Sequence, residues 1–125
     1  MGVVYPLFVL LDDRTMMTIK SAADILSYLE GIDIQNNEYR FWDSTEKAVR
    51  ITVELTKAYY LFAHWKVVDV FYCESTMTLR DALLTYVDRV NLPRTLVQGQ
   101  PGRIMERIEE SRPNKKNWLS QLFSS

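Results

Sequence analysis

The sequence is poor in the residues that reactive sites most often use. Its 125 residues include one cysteine, Cys73, one histidine, His64, and four glycines. A single cysteine cannot form an internal disulfide, so nothing in the chain requires an oxidising compartment. A zinc site needs several His or Cys ligands, and one of each is too few. We therefore expect neither a bound metal nor any other cofactor.

The nucleotide-binding and hydrolase motifs are missing as well. No G-x-x-x-x-G-K-[ST], G-x-G-x-x-G or G-x-S-x-G pattern occurs, and four glycines leave little material for a phosphate-binding loop. A thiol–imidazole pair of His64 and Cys73 is disfavoured, because one continuous strand would hold them about 30 Å apart. Carboxylate pairs stay open, since sixteen acidic residues give no basis for choosing two. The sequence favours a non-catalytic protein and leaves an enzyme as the lesser alternative.

Long apolar runs are also lacking. The N-terminal apolar run covers only residues 3–11 and leads into Asp12, Asp13 and Arg14. A membrane-spanning helix needs about 20 apolar residues, and a secretory signal carries a basic segment before its apolar core. We expect a cytoplasmic protein without a transmembrane segment.

Charge is unevenly distributed along the chain, although the net charge is only −1. Residues 1–93 carry nine Lys/Arg against thirteen Asp/Glu, a net −4, while residues 94–125 carry six against three, a net +3. Nucleic-acid-binding proteins present a denser basic face than this, and an acidic body repels phosphate. We do not expect nucleic acid to be a partner.

Residues that favour β-structure predict two pairs of strands and a further strand. Residues 3–11 and 15–20 form a hairpin, and Pro6 inside the first strand predicts either an edge position or pairing on one side only near its start, because proline cannot donate to a ladder. Residues 39–43 and 48–55 form a second pair with clear alternation. Residues 64–74 form another strand rich in aromatics, whereas residues 57–63 are ambiguous between strand, turn and helical bend.

Two amphipathic helices follow strand pairs. The first begins at Ser21 and ends at Gly31; the second begins at Thr78, with Asp81 completing a capping box, and ends near Asn91. Residues 25–32 and 83–90 are similar at a constant offset of 58 residues. This similarity arises either from an internal duplication or from the fact that both helices are amphipathic and bury one apolar face.

These elements predict an α+β fold. We expect an antiparallel β-sheet of four to five strands with two helices on one face, in a ββαββα-like order, plus a C-terminal helical segment. Residues 1–112 form a single domain, and residues 113–125 form an amphipathic tail that docks on the domain or on a second copy. If the tail is helical, Trp118, Leu119, Leu122 and Phe123 form one apolar stripe, which lysines precede in the sequence.

A sheet covered on one face leaves aromatic side chains on the other. Exposed aromatic patches mark partner surfaces, so we predict an interaction surface there and in the tail. Its candidate residues are Tyr39, Trp42, Tyr59, Tyr60, His64, Trp65, Tyr72, Trp118 and Phe123. The resulting hypothesis is a small non-catalytic interaction module that self-associates, most simply as a homodimer, through the aromatic sheet face, the tail or both; a different protein partner stays open.

A second hypothesis comes from another functional class. A pocket near Tyr59, His64 and Trp65 would make the protein a small-molecule-binding protein or an enzyme. A deep cavity with converging titratable groups would favour this hypothesis, whereas an open apolar surface would favour association.

Overall fold

We analysed a computed structural model, which describes residues 2–58, 63–87, 89–91, 103–104 and 106–107. The described strands form one sheet in the order β5-β4-β3-β1-β2-β6. Five strands are antiparallel to their neighbours, and β6 runs parallel to β2. The strands are β1 (Leu7–Leu10), β2 (Thr15–Ile19), β3 (Arg40–Trp42), β4 (Ala48–Ala58), β5 (Ala63–Tyr72) and β6 (Arg89–Asn91).

The helices of the described residues are short. A 3-10 turn at Ala22–Asp24 leads into α1 (Ile25–Tyr28), and α2 (Gly31–Gln35) follows. After the long hairpin, α3 (Leu79–Asp81) continues as a π-helical turn at Ala82–Tyr86. Together with the antiparallel strands, these helices confirm the predicted α+β class.

The first predicted hairpin is present, but its first strand is central. β1 pairs with β2 on one side and with β3 on the other. The predicted edge position was therefore wrong, but the alternative of one-sided pairing near the start agrees with the register, since Leu7 pairs with Ile19 and pairing with β3 begins at Phe8. Pro6 lies immediately before Leu7, where the strand begins, so no ladder bond depends on a proline N–H.

The β4–β5 hairpin is the longest pair, with strands of 11 and 10 residues. Val53 pairs with Val67 and Thr52 with Asp69, so Val68 is an extra residue that forms a β-bulge. The bulge shifts the alternation, and Asp69 points away from the face that carries Val67. Simple alternation along residues 64–74 groups Phe71 and the discordant Asp69 with Trp65; that grouping is wrong, and the bulge that would re-aim Asp69 is present.

Helices cover both faces of the central strands, contrary to the expectation that two helices share one face. Phe8, Met16 and Trp42 pack with the α3 segment in one core, whose other buried members are Leu79, Ala82, Leu83, Val87 and Ile104. The second core contains α1, α2 and the opposite sheet face, with buried Leu7, Val9, Ile19, Ile25, Leu29, Ile34, Phe41, Val49 and Ile51. Successive residues of β1 are all apolar, so each face of this strand needs a cover.

The two helix predictions met different outcomes. The capping box of Thr78 and Asp81 is confirmed, since each side chain accepts from the other residue's backbone N–H. The helix ends at Tyr86, however, and residues 89–91 form β6. Gly31 was expected to end the first helix but instead begins α2. The two similar segments begin alike, since residues 25–28 and 83–86 are helical and Leu29 and Val87 are extended, but residues 31–32 are helical while residues 89–90 are in a strand. The described elements therefore do not fully reproduce the ββαββα-like order.

Candidate interaction cleft

A cleft of about 640 Å³ lies between the α1–α2 junction and the beginning of β5. Its lining residues are Leu26, Leu29, Glu30, Gly31, Ile32, Ala63, His64 and Trp65. We call it the Trp65 cleft. Most of the lining residues are apolar, but polar atoms make up the larger part of the lining surface, and Glu30 and His64 supply the titratable side chains. Its volume lies within the range of roughly 300 to 1,000 Å³ that ligand sites occupy.

A glycine allows α2 to approach the strand that carries Trp65. A Cβ on Gly31 would lie within 2.7 Å of three side-chain atoms of Trp65, closer than any side chain tolerates. Leu29 and Glu30 are extended, with ψ of 146° and 132°, so the chain leaves the helical path just before Gly31. The break buries Leu29 and places the backbone of Gly31 against the indole.

Apolar side chains stay exposed on the elements that flank the half-buried Trp65. Tyr28 at the end of α1 is 65% exposed, and Ile32 in α2 is 45% exposed. Leu55 is the ladder partner of Trp65 and is 43% exposed. Removing such surface from water is worth about 25 cal/mol per Å², and grouped exposure of this kind is typical of contact surfaces.

Acidic residues lie on α2 and on the loop after it. The Tyr39 hydroxyl donates to Asp33 Oδ2 at 3.2 Å, and the Glu38 backbone N–H donates to the Asp33 carbonyl at 3.0 Å. A hydrogen bond with the Asp33 carboxylate raises the pKa of Glu38, and the negative charges of Asp33, Asp12 and Glu30 raise it further. Of these acidic residues only Glu30 lines the Trp65 cleft, while the Asp33 carboxylate bonds to Tyr39 beside it.

A buried carboxylate, Asp43, fixes the β3–β4 turn. Its Oδ1 accepts from the Thr45 N–H at 2.8 Å and the Thr45 hydroxyl at 2.6 Å, and its Oδ2 accepts from the Val4 N–H at 3.0 Å. The Tyr72 hydroxyl also donates to Oδ2, and Lys47 Nζ lies 5.3 Å from the centre of the Tyr72 ring. These contacts join the N-terminal segment, the turn and the end of β5.

The hydrogen bonds of Asp43 determine its titration. Burial alone would raise the pKa of this carboxyl, but donation from Thr45, Tyr72 and Val4 outweighs that effect and holds the pKa below its ordinary value. The hydrogen bond to Asp43 also raises the pKa of Tyr72. Because donors already surround the carboxylate, we interpret Asp43 as structural.

The structure separates the aromatic residues that the sequence grouped together. His64 and Trp65 both line the Trp65 cleft, whereas Tyr39 and Tyr72 are half-buried and bond to carboxylates elsewhere. Trp42 is only 1% exposed and donates from its indole to the Met77 carbonyl, so it offers no surface to a partner. Four further candidates lie outside the described residues: Tyr59, Tyr60, Trp118 and Phe123.

Sequence reasoning missed Ile32 and Gly31 as part of a site. Taking Gly31 as a helix end assigned the following residues to a loop and Ile32 to a capping contact. Ile32 and Ile34, which flank Asp33, could have indicated a structured element here, because a solvated loop does not need such an apolar pair.

The other face of the β4–β5 hairpin is mixed in character. Val68 and Phe71 are exposed there, at 57% and 38%. Lys66 and Glu54 form an ion pair at 3.5 Å across the two strands, with both side chains 60% exposed. This face is no continuous aromatic surface, because charged side chains interrupt it.

The described residues offer few groupings for metal or redox chemistry. Among them, no set of three or more His, Cys, Asp or Glu side chains could hold a metal ion. Cys73 is exposed and lines two smaller clefts of about 280 and 260 Å³ with Trp42, Ala48 and Ser75. His64 lies near the opposite end of β5 from Cys73, so the two cannot act as a pair.

Comparisons give no independent indication of function. No helix in the described part of the chain is long and apolar enough to cross a membrane. Searches against protein-family models, curated proteins and solved structures returned no significant match.

Proposed function

We propose that this protein is a small non-catalytic interaction module that self-associates, and that the Trp65 cleft is its contact surface. The observation that carries the proposal is that two exposed apolar side chains adjoin the half-buried Trp65: Ile32, which lines the same cleft, and Leu55, its ladder partner. A second copy that covered this group would remove apolar surface from water at several adjacent positions. The aromatic sheet face proposed from the sequence has no such support, since Trp42 is in the core.

A small-molecule-binding protein or an enzyme is the second candidate. The volume of the Trp65 cleft and its lining by His64 and Trp65 favour this function. Ligand sites usually add several placed polar groups to an apolar wall, whereas the titratable side chains here are Glu30 and His64, both exposed. The exposed Ile32 and Leu55 beside Trp65 are better suited to a protein contact than to a polar substrate.

The test is the association constant of the full chain, measured by sedimentation equilibrium. Ile32→Glu places a charge in the proposed contact, and Val68→Glu places the same charge at an exposed apolar position on the other sheet face. Burying an unpaired charge costs several kcal/mol. We expect Ile32→Glu to raise the dimer Kd at least thirtyfold, about 2 kcal/mol, and Val68→Glu to change it less than threefold.

Two results would contradict the proposal. A wild-type chain that sediments as a monomer up to millimolar concentration would exclude self-association. A Val68→Glu variant that dissociates while Ile32→Glu does not would move the contact to the other sheet face. Circular dichroism of both variants checks that each one is folded.

A further inference from the structure

We infer that the segment bound in the Trp65 cleft is the C-terminal segment of a second copy, residues 114–125. This inference rests on the proposed function and names the group that the cleft accepts. A reciprocal exchange would then place one segment in each of two clefts, which gives a closed dimer with two equivalent contacts.

The sequence of the segment matches an apolar cleft. Trp118, Leu119, Leu122 and Phe123 fall at positions i, i+1, i+4 and i+5, which lie on one stripe of a helix. An amphipathic helix that lays such a stripe into a hydrophobic groove is a common recognition mode. Tryptophan and other large aromatic anchors supply most of the energy in contacts of this kind.

The charges of the two surfaces are complementary. Lys115 and Lys116 immediately precede the apolar stripe. Glu30 lines the cleft, and Asp33 lies on the same short helix that begins at Gly31. A contact between these lysines and the cleft agrees with the charge distribution along the chain, since residues 1–93 are net negative and residues 94–125 are net positive. Charge complementarity of this sort orients a segment and excludes the reverse direction.

The last described residues of the chain lie far from the Trp65 cleft of the same chain, so the C-terminal segment begins far from that cleft. Ile104 is buried in the core on the α3 side, and the Arg107 guanidinium contacts Glu46 in the β3–β4 turn at 2.6 Å. The Trp65 cleft lies on the opposite face, toward the other end of β4, where Leu55 pairs with Trp65. The segment therefore has to pass both along the sheet and around it.

Chain length then favours a second copy. From Ala48 to Leu55 the strand runs about 23 Å, and passing to the opposite face adds roughly 10 Å. The eleven residue steps from Arg107 to Trp118 span at most about 36 to 40 Å when fully extended. A segment binding to its own cleft would need a nearly straight linker, which loses most of its conformational freedom. The segment of a second copy can reach the cleft without a nearly straight linker.

The cleft is small for a protein interface, and this also favours a contact in which a segment of the second copy inserts into it. A standard protein interface uses about 20 to 30 residues on each side, whereas eight residues line this cleft. Two clefts, each filled by a twelve-residue segment, would bring the contact much closer to that size.

Cysteine cross-linking in the full chain tests the inference. In a Cys73→Ser background, one chain carries Ala63→Cys at the cleft and another carries Gln121→Cys in the segment. We expect the mixed chains to form a disulfide-linked heterodimer on mild oxidation. As the matched control, Thr85→Cys, an exposed position on the α3 side, should give at least tenfold less heterodimer with the same partner.

The reciprocal measurement uses sedimentation of full-length variants. The double variant with Trp118→Ala and Phe123→Ala should raise the dimer Kd at least thirtyfold. Lys115→Glu together with Lys116→Glu should raise it at least threefold, with the effect decreasing at high salt. Both variants retain all described residues, and circular dichroism verifies that they fold.

Failure of the inference can be separated from failure of the proposed function. If Ile32→Glu dissociates the dimer while the tail variants and the cross-link have no effect, the inference is wrong and the cleft still mediates self-association. If Ala63→Cys and Gln121→Cys cross-link only when placed in one chain, the segment binds its own cleft and the second copy is excluded. If the wild-type chain is monomeric, the proposed function itself fails, and the inference fails with it.

Discussion

Replacing Asp43 by alanine should be among the most destabilising substitutions in the described chain. The carboxylate is fully buried and accepts hydrogen bonds from the Val4 N–H, from two groups of Thr45 and from the Tyr72 hydroxyl. These donors come from three separate parts of the sequence. The variant therefore removes the common acceptor of a network instead of a single contact.

The magnitude follows from the donors that are left without a partner. A buried donor that loses its acceptor costs about 1 to 3 kcal/mol, and hydrogen bonds to a charged group are worth about 1.5 to 3 kcal/mol. Thr45 and Val4 are both exposed residues, so water replaces part of what each loses, although their hydrogen bonds to Asp43 are part-buried. We expect Asp43→Ala to lower the free energy of unfolding by about 3 to 5 kcal/mol, a large part of the 5 to 15 kcal/mol typical of a domain.

Urea unfolding followed by tryptophan fluorescence measures the effect. At an m-value of about 2 kcal/mol per molar, the midpoint should fall by roughly 2 M. Asp13→Ala is the matched control, because Asp13 accepts from the Thr15 N–H at 3.0 Å in an exposed turn. That variant should lose about 1 kcal/mol or less. Tyr72→Phe separates the contribution of the single hydroxyl from the rest of the network.

A small effect would refute the reasoning. If Asp43→Ala and Asp13→Ala differ by less than about 0.5 kcal/mol, the buried carboxylate does not hold the turn, and its contacts are replaced by water. An unchanged m-value is needed for the comparison, since a change in m would indicate a change in the unfolded or native state.

Two further predictions concern acid stability and the Trp65 cleft. Because the folded pKa of Asp43 lies below its ordinary value, its stabilisation is present above the unfolded pKa of about 3.9 and is lost as the pH falls through the folded pKa. Free energies of unfolding from pH 7 to pH 3 should fall less for Asp43→Asn than for wild type, and parallel profiles would contradict this. Gly31→Ala should force Trp65 to move, lower stability by about 1 to 3 kcal/mol and shift tryptophan emission. Gly2→Ala, which meets nothing within 4 Å, should do neither; identical spectra for both variants would argue against the close contact.

Much of the strand content was predictable because it depends on local preference and period. The alternation of Phe41 and Trp42 to opposite faces follows directly from two-residue periodicity, and the two residues do join different cores. The capping box of Thr78 and Asp81 is likewise a local pattern. Each of these features involves residues within four positions of one another.

The candidate site was only half predictable. His64 and Trp65 were chosen for their chemistry, and they do line a cleft. The opposite wall was missed because the break after α1 depends on Leu29 being buried and on Gly31 packing against Trp65. Residues far apart in the sequence make that contact, and no local pattern specifies it.

The sequence alone was enough to predict an α+β protein with β-rich hairpins and a helix capped by Thr78, and it carries an apolar stripe and a net positive charge near its C-terminal end. Only the tertiary structure decided that helices cover both faces of the sheet, that Val68 forms a bulge and that Trp42 is buried. The physical reason is that propensity and period act within a few residues. The contacts that choose a face, shift a register or bury a carboxylate, such as Tyr72 with Asp43 across 29 positions, exist only after the chain has folded.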